Sequence, residues 1–167
     1  MAIKQTDMKK LINIMTGLAA LVIAAASCTK DNNMPVQSMD MYLVGEWHMV
    51  GAKIGEDLTL QDTDVYLAIQ ANGTFELYQQ TYSQNERYDK YSGNCWTENG
   101  TISGIYSDGE PWGAKYEYSK TVDGFILRSF NFLEMQRYTK TAIPEEVKAN
   151  ANPVHTKSSQ AAGSPIL

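Results

Sequence analysis

Residues 95–106, CWTENGTISGIY, place a turn dipeptide between two partly apolar segments and thereby indicate the fold class. Asn99-Gly100 favours a tight hairpin turn, because such turns need positive φ angles that Asn and Gly tolerate. Three further signals of this kind follow the same pattern: Asn72-Gly73, Asp108-Gly109 and Asp123-Gly124. Four hairpin signals in one short region predict an antiparallel meander.

From the positions of these turns, we predict eight strands. They lie near residues 44–50, 65–71, 74–81, 89–97, 101–107, 114–120, 125–130 and 132–139. Only Asn131 separates the last two, so seven strands are an alternative. A meander of this length avoids exposed edges most simply by closing on itself. We therefore expect an all-β fold, an up-and-down antiparallel barrel of about eight strands, followed by a short C-terminal helix.

Alternation along the strands predicts which side chains face the barrel interior. The candidate lining residues are Phe75, Leu77, Tyr116, Tyr118, Leu127 and Met135. Ten Tyr, four Phe and three Trp give the chain a large aromatic surface to bury. The inward residues either line a pocket for one small molecule or fill the interior as a core. The sequence leaves both interpretations open.

Composition excludes several classes of protein. Hydrophobic residues make up 43% and charged residues 20% of the chain, which is typical of a globular domain. A net charge of -5 argues against a nucleic-acid binder. His48 is predicted to point to solvent, and the sequence has no phosphate loop or nucleophile elbow. We expect no enzyme, no catalytic residue, no metal and no cofactor.

Residues 1–27 have the layout of a bacterial signal peptide. A short basic segment, MKK at residues 8–10, precedes residues 11–26, which carry no charge. This run is shorter than the about 20 apolar residues of a membrane-spanning helix. It leads into AASC, residues 25–28, which resembles the lipobox of bacterial lipoproteins. The resemblance implies that Cys28 is acylated; ordinary signal cleavage and an uncleaved anchor are the alternatives.

An acidic chain is repelled by anionic lipids, so we expect membrane attachment through acyl chains. Thr29 is not the Asp that retains many lipoproteins at the inner membrane. The resemblance therefore implies an outer-membrane location, facing the periplasm or the cell surface. We assign residues 28–41 to the lipidated cysteine and a flexible tether, and residues 42–141 to the barrel domain. Residues 142–167 are predicted as a short helix and a disordered tail.

The head of the first predicted strand carries a second resemblance. Gly45-Glu46-Trp47 matches the Gly-x-Trp signature of lipocalins. Over residues 42–140 the chain resembles the small lipocalin-like domains carried by bacterial lipoproteins. The resemblance implies that Gly45 and Trp47 help to close one end of the barrel, with the indole as its plug.

The same resemblance implies a partner for the indole and a lid. An arginine of the last strands is expected to pack across the ring of Trp47, with Arg137 as first choice and Arg128 as second. Residues 51–64 resemble the lid loop at the open end of a lipocalin.

Trp112 lies beside Pro111 in a turn and has two interpretations. It is either an exposed contact for a protein or glycan partner, or it folds back to cap the barrel. We therefore carry two hypotheses for function. The first is a lipid-anchored lipocalin-like protein that binds a small hydrophobic or amphipathic molecule at the cell envelope. The second is a non-catalytic interaction or scaffold module whose packed barrel contacts a protein or glycan through its loops.

Overall fold

The computed structural model describes residues 38–54, 57–58, 63–81, 87–130, 134–157 and 165–167. The signal peptide and Cys28 lie outside these ranges, as does most of the predicted tether. None of the helical structure in these ranges is long and apolar enough to cross a bilayer.

Within the described ranges, the regular secondary structure is almost entirely β-strand. The strands are β1 (Gly45–Ile54), β2 (Asp57–Leu58), β3 (Thr63–Ile69), β4 (Thr74–Thr81), β5 (Asp89–Glu98), β6 (Thr101–Tyr106), β7 (Tyr116–Lys120), β8 (Gly124–Ser129), β9 (Glu134–Lys140) and β10 (Asn152–Pro153). A short helix, α1, spans Glu145–Asn150.

Eight of the strands close into an antiparallel barrel. Each of β1, β3, β4, β5, β6, β7, β8 and β9 pairs with the next, and β9 returns to β1. The predicted up-and-down barrel and the C-terminal helix are confirmed, and β8 and β9 are separate strands. Two short strands were not predicted: β2 pairs with β1, and β10 runs parallel to the start of β5.

The hairpin between β5 and β6 has the predicted turn chemistry. Asn99 has a φ of 50° and Gly100 a φ of 78°. Both are in the left-handed region that this kind of hairpin turn requires. Glu98 consequently lies opposite Thr101, and the two strands pair from there to Gly93 and Tyr106.

Trp47 lies inside the barrel at the end where β1 begins, which we call the closed end. Only 2% of its surface is exposed, and its Nε1 donates to the Leu43 carbonyl at 2.8 Å. Phe125 meets the indole edge-on at 4.9 Å. The expected arginine is not the cation at this ring, because Lys140 holds its Nζ 5.6 Å from the ring centroid.

The predicted phase of the last strand is wrong. Gln136 and Tyr138 of β9 are buried, whereas Met135 is half-buried and Arg137 is 52% exposed. Arg137 instead pairs with Asp123 at 3.4 Å on the outer surface. Alternation allows two phases that differ by one residue. Tyr138 selects the observed phase by stacking on Phe125 inside the barrel, which also spares the guanidinium from burial.

Part of the predicted tether is bound to the barrel. Ser38 accepts from the Thr97 N–H at 2.7 Å, and the Asp40 N–H donates to Thr97 Oγ1 at 2.8 Å. Asp40 also accepts from the Tyr118 hydroxyl at 2.9 Å. Residues 38–41 therefore belong to the closed end of the barrel.

The chain after β9 forms an outer strap, residues 143–157. Ile143 and Val147 pack on Ala68 and Tyr78, which explains why Tyr78 is buried on the outer side of β4. Glu46 fixes the start of this strap: its carboxylate accepts from the Ile143 N–H at 2.7 Å and pairs with Lys148 at 3.0 Å.

We predict that Glu46 makes the fold sensitive to acid. Partial burial would raise the pKa of Glu46, but the Ile143 N–H and the Lys148 ammonium outweigh this and hold it below the usual 4.5. A lowered pKa stabilises the fold fully above that value, and the contribution is lost as the pH falls through the folded-state pKa. In urea unfolding between pH 6 and pH 3, Glu46→Gln should flatten the pH dependence. The exposed Glu117→Gln is the control, and equal slopes for both variants would contradict the assignment.

Candidate functional site

The end of the barrel opposite Trp47 carries a cluster of polar groups that point into the interior. We call this end the mouth, and it is formed by Gln79, Tyr106, Trp112, Tyr116 and Gln136. These residues come from β4, β6, β7, β9 and the loop between β6 and β7. All five are buried.

Trp112 folds back into the barrel. It is 5% exposed, with its ring 5.1 Å from Phe75 and 6.3 Å from Tyr116, both edge-on. Of its two interpretations, the exposed partner contact is therefore wrong, because the indole belongs to the core. Its Nε1 has no hydrogen-bond acceptor within the described ranges. A buried donor without an acceptor costs about 1–3 kcal/mol.

Two tyrosine hydroxyls face the same space. Tyr106 donates to the main-chain oxygen of Leu167 at 2.6 Å. Tyr116 donates to Glu134 Oε2 at 3.0 Å, and its oxygen lies 3.4 Å from the Ile166 carbonyl. Burial raises the pKa of both phenols well above the usual value, and the charge of Glu134 adds to the effect at Tyr116. Both groups are therefore protonated donors near neutral pH.

Gln79 and Gln136 both form hydrogen bonds with the main chain of Ile166. The Ile166 N–H donates to Gln79 Oε1 at 2.9 Å, and Gln136 Nε2 donates to the Ile166 carbonyl at 2.9 Å. Tyr138 orients the second amide, because its hydroxyl donates to Gln136 Oε1 at 2.8 Å. That bond leaves the NH₂ group of Gln136 to face Ile166.

Residues 165–167 thus form a plug in the mouth. Leu167 is 2% exposed and belongs to the same apolar cluster as Trp47 and Trp112. The prediction of a disordered tail does not hold for these three residues. Residues 158–164, which join them to the outer strap, lie outside the described ranges.

The plug is held by contributions that nearly offset one another. Burial of Leu167 stabilises by about 1.5–3 kcal/mol, and three hydrogen bonds add about 0.5–1.5 kcal/mol each. Ordering three residues costs about 1–2 kcal/mol each. The central values differ by about 1 kcal/mol, which is less than the binding free energy of a ligand of moderate affinity.

The outer strap is pinned beside the mouth. Asp108, in the β6–β7 loop, accepts from Thr156 Oγ1 at 2.6 Å and from the Lys157 N–H at 3.2 Å. The Thr156 hydroxyl is the main cause that lowers the pKa of Asp108 to about 2. Lys157 also pairs with Glu110 at 3.1 Å. Asp108 and Glu110 therefore fix residues 156–157, which precede the plug in the chain.

The structure brings only part of the predicted lining to the mouth. Phe75, Leu77, Tyr116 and Leu127 are buried inside the barrel as expected. Tyr118 is half-buried at the closed end, bonded to Asp40, and Met135 lies in the outward phase of β9. Sequence reasoning did not select Gln79, Gln136 or the plug. The inward phase of Gln79 was the one available signal.

His48 and Cys95 are not part of the cluster at the mouth. His48 lies on the outer wall, but it is hydrogen-bonded to Asp64 at 2.6 Å and stacks on Tyr66 at 4.6 Å. Cys95 is a free, buried cysteine, and burial raises the pKa of its thiol to about 12. Within the described residues, no three His, Cys, Asp or Glu side chains meet in a cluster able to hold a metal.

Part of the predicted lid is strand instead. β1 continues to Ile54, β2 pairs back onto it, and β3 begins at Thr63. Residues 55–56 and 59–62 lie outside the described ranges.

We predict that Gly104 is required for the position of Trp112. A Cβ at Gly104 would lie 2.2 Å from the indole, so Gly104→Ala must displace the ring. Overpacking of this kind costs about 1–3 kcal/mol. Urea unfolding should show that loss, and the tryptophan emission should shift to the red. Gly51→Ala is the matched control, because a Cβ there meets nothing within 4 Å. Equal stability of the two variants would refute the packing.

Comparisons with known proteins give only structural likenesses. No protein-family description matches the chain, and no curated protein matches it. A lipoprotein YedD from Klebsiella pneumoniae has a similar structure, with a TM-score of 0.43 and 15% identity, over 77% of this chain and 93% of that one. A DUF4847 family protein from Bacteroides vulgatus has a TM-score of 0.42 and 10% identity, over 62% of this chain and 97% of that one.

Proposed function

We propose that this chain is a lipid-anchored, lipocalin-like barrel of the bacterial cell envelope that binds a small amphipathic molecule through its mouth. One observation carries the proposal: Gln79, Gln136 and Tyr106 make hydrogen bonds inside the barrel with the main chain of residues 166–167. Buried polar groups of a packed core are normally satisfied by their neighbours. Here the partners come from a segment that is not part of the barrel wall, and this supports a site for polar groups that enter from outside.

The surroundings of these groups favour an amphipathic ligand. Phe75, Tyr91 and Trp112 supply apolar aromatic surface, and each contacts another ring of the cluster. The Nε1 of Trp112, which has no acceptor among the described residues, offers a donor to an acceptor atom of a ligand. A molecule with an apolar body and an oxygen-bearing head fits this combination. The proposal involves no catalysis, metal or cofactor.

The AASC sequence at residues 25–28 supports attachment through an acylated Cys28. By resemblance, we propose the outer membrane as the location, facing the periplasm or the cell surface.

A second candidate function is supported by the continuity of the core. Leu43, Trp47, Trp112 and Leu167 belong to one buried cluster that runs through the barrel. If the plug does not move, the barrel is a packed module that meets a protein or glycan partner through its loops. The binding experiment below separates the two functions.

We predict that stearic acid with a nitroxide on its acyl chain quenches the tryptophan fluorescence of the full chain saturably. Tyr106 also holds the plug, so its contribution to ligand binding is measured in a Leu167→Gly background, in which the plug has lost its buried side chain. In that background, Tyr106→Phe should weaken the binding about two- to tenfold, because a net hydrogen bond is worth about 0.5–1.5 kcal/mol. Arg128→Gln, a change at an exposed position of β8, is the control. Absence of saturable quenching by stearate and by a panel of other amphiphiles would refute ligand binding and favour the scaffold function.

We predict that Cys28→Ser abolishes membrane attachment. Serine cannot form the thioether to which the lipid is attached, so the protein should move from the membrane to the soluble fraction. Metabolic labelling with a palmitate analogue, followed by fractionation, measures both effects. A Cys28→Ser chain that stays with the membrane would contradict a lipid anchor, and Cys95→Ser is the control for loss of a thiol.

A further inference from the structure

We infer that the mouth recognises a peptide unit flanked by aliphatic side chains, and that residues 165–167 occupy this site in cis as a built-in competitor. The inference rests on the proposed function, because it concerns the same mouth, and it narrows the ligand class. The polar part of the ligand is an amide, and its apolar part is a branched aliphatic group.

The mouth pairs with both the donor and the acceptor of one peptide residue. Gln79 accepts the N–H of Ile166, while Gln136 donates to the carbonyl of the same residue, each at 2.9 Å. A fatty acid or a sterol has no N–H to offer Gln79 Oε1. A peptide residue offers both groups at the required spacing, as the two strands of a sheet do.

The side-chain amide of Gln136 is oriented by the barrel itself. Tyr138 is fully buried and donates to Gln136 Oε1 at 2.8 Å. The orientation of the amide is thereby set by the barrel and not by the plug. A group held in its binding orientation loses little entropy when the partner arrives.

The mouth also contacts Leu167, the residue after Ile166. The main-chain oxygen of Leu167 accepts from Tyr106, and the side chain of Leu167 is buried in the aromatic cluster. The site therefore recognises a main-chain oxygen and an aliphatic side chain one residue beyond the amide clamp. The contacts with residues 166 and 167 together define an aliphatic dipeptide.

The chain that precedes the plug is fixed beside the mouth. The outer strap is fixed at Thr156 and Lys157 by Asp108, in the loop that also carries Trp112. Only residues 158–164 intervene, so the plug remains close to the mouth when it is out of it. A tethered segment has a high effective concentration and lowers the apparent affinity for any free ligand of the same site.

The test uses the full chain with Cys28→Ser and a fluorescent peptide of the sequence Ser-Pro-Ile-Leu, acetylated and amidated at its ends. Fluorescence anisotropy measures binding to the chain with its native plug and to the Leu167→Asp variant, whose plug carries a charge that disfavours burial. We expect the variant to bind the peptide at least about tenfold more tightly. Equal affinities, or no binding to either chain, would overturn the inference.

A matched peptide tests the amide clamp. N-methylation of its isoleucine removes the N–H that Gln79 accepts but keeps the apolar side chain. We expect this peptide to bind the Leu167→Asp chain at least about fivefold more weakly. Equal binding of the two peptides would mean that the site does not read the main chain. Leu167→Gly, which adds no charge, replaces Leu167→Asp if the latter does not fold.

The nitroxide stearate is titrated on the same proteins. If stearate binds and the peptide does not, the inference fails while the proposed function stands. If the peptide binds and no amphiphile does, the amide site stands and the proposed binding of small molecules fails.

Discussion

The structure depends on the pairing of β1 with β9, the first and last strands of the barrel. This pairing runs from Trp47 opposite Lys140 to Ile54 opposite Glu134, with a register shift between Met49 and Gly51. Once these strands join, the eight barrel strands, all of which lie in the described ranges, form a closed ring with an inner and an outer face. The burial of Trp47 follows from that closure, and closure also requires β9 to turn one of its two faces inward.

Closure also gives the barrel two chemically different ends. The interior beside β8 and β9 runs from Trp47 through Phe125 and Tyr138 to Gln136. It is aromatic at the closed end and becomes polar at the mouth. A barrel that needed only a stable core would gain nothing from buried amides at one end, because such groups lose hydration. The polar mouth is therefore the feature that supports a binding role.

The sequence predicted the features that depend on local physical chemistry. The Asn99-Gly100 turn needs positive φ angles, and alternation along β4 gave the correct inward phase for Phe75 and Leu77. The phase of β9 was not predictable in this way, since Met135 and Tyr138 are both apolar and lie on opposite faces. Only the stacking of Tyr138 on Phe125, a contact between two strands, decides between them.

The plug was beyond sequence reasoning for a different reason. Pro165, Ile166 and Leu167 follow a run of small and polar residues and have no period that marks a strand or a helix. Their position depends on donors and acceptors from strands far away in the chain, namely Gln79 and Gln136. Trp112 had two interpretations for the same reason, because its packing depends on the space left by Gly104.

We propose that residues 165–167 fill the mouth and leave it when a ligand enters. NMR of the chain with labelled leucine methyl groups tests this directly through nuclear Overhauser effects between Leu167 and the aromatic rings of the mouth. We expect these effects in the free protein and their loss at saturating ligand. Their absence from the free protein, or their persistence with ligand bound, would show that the plug does not give way to a ligand.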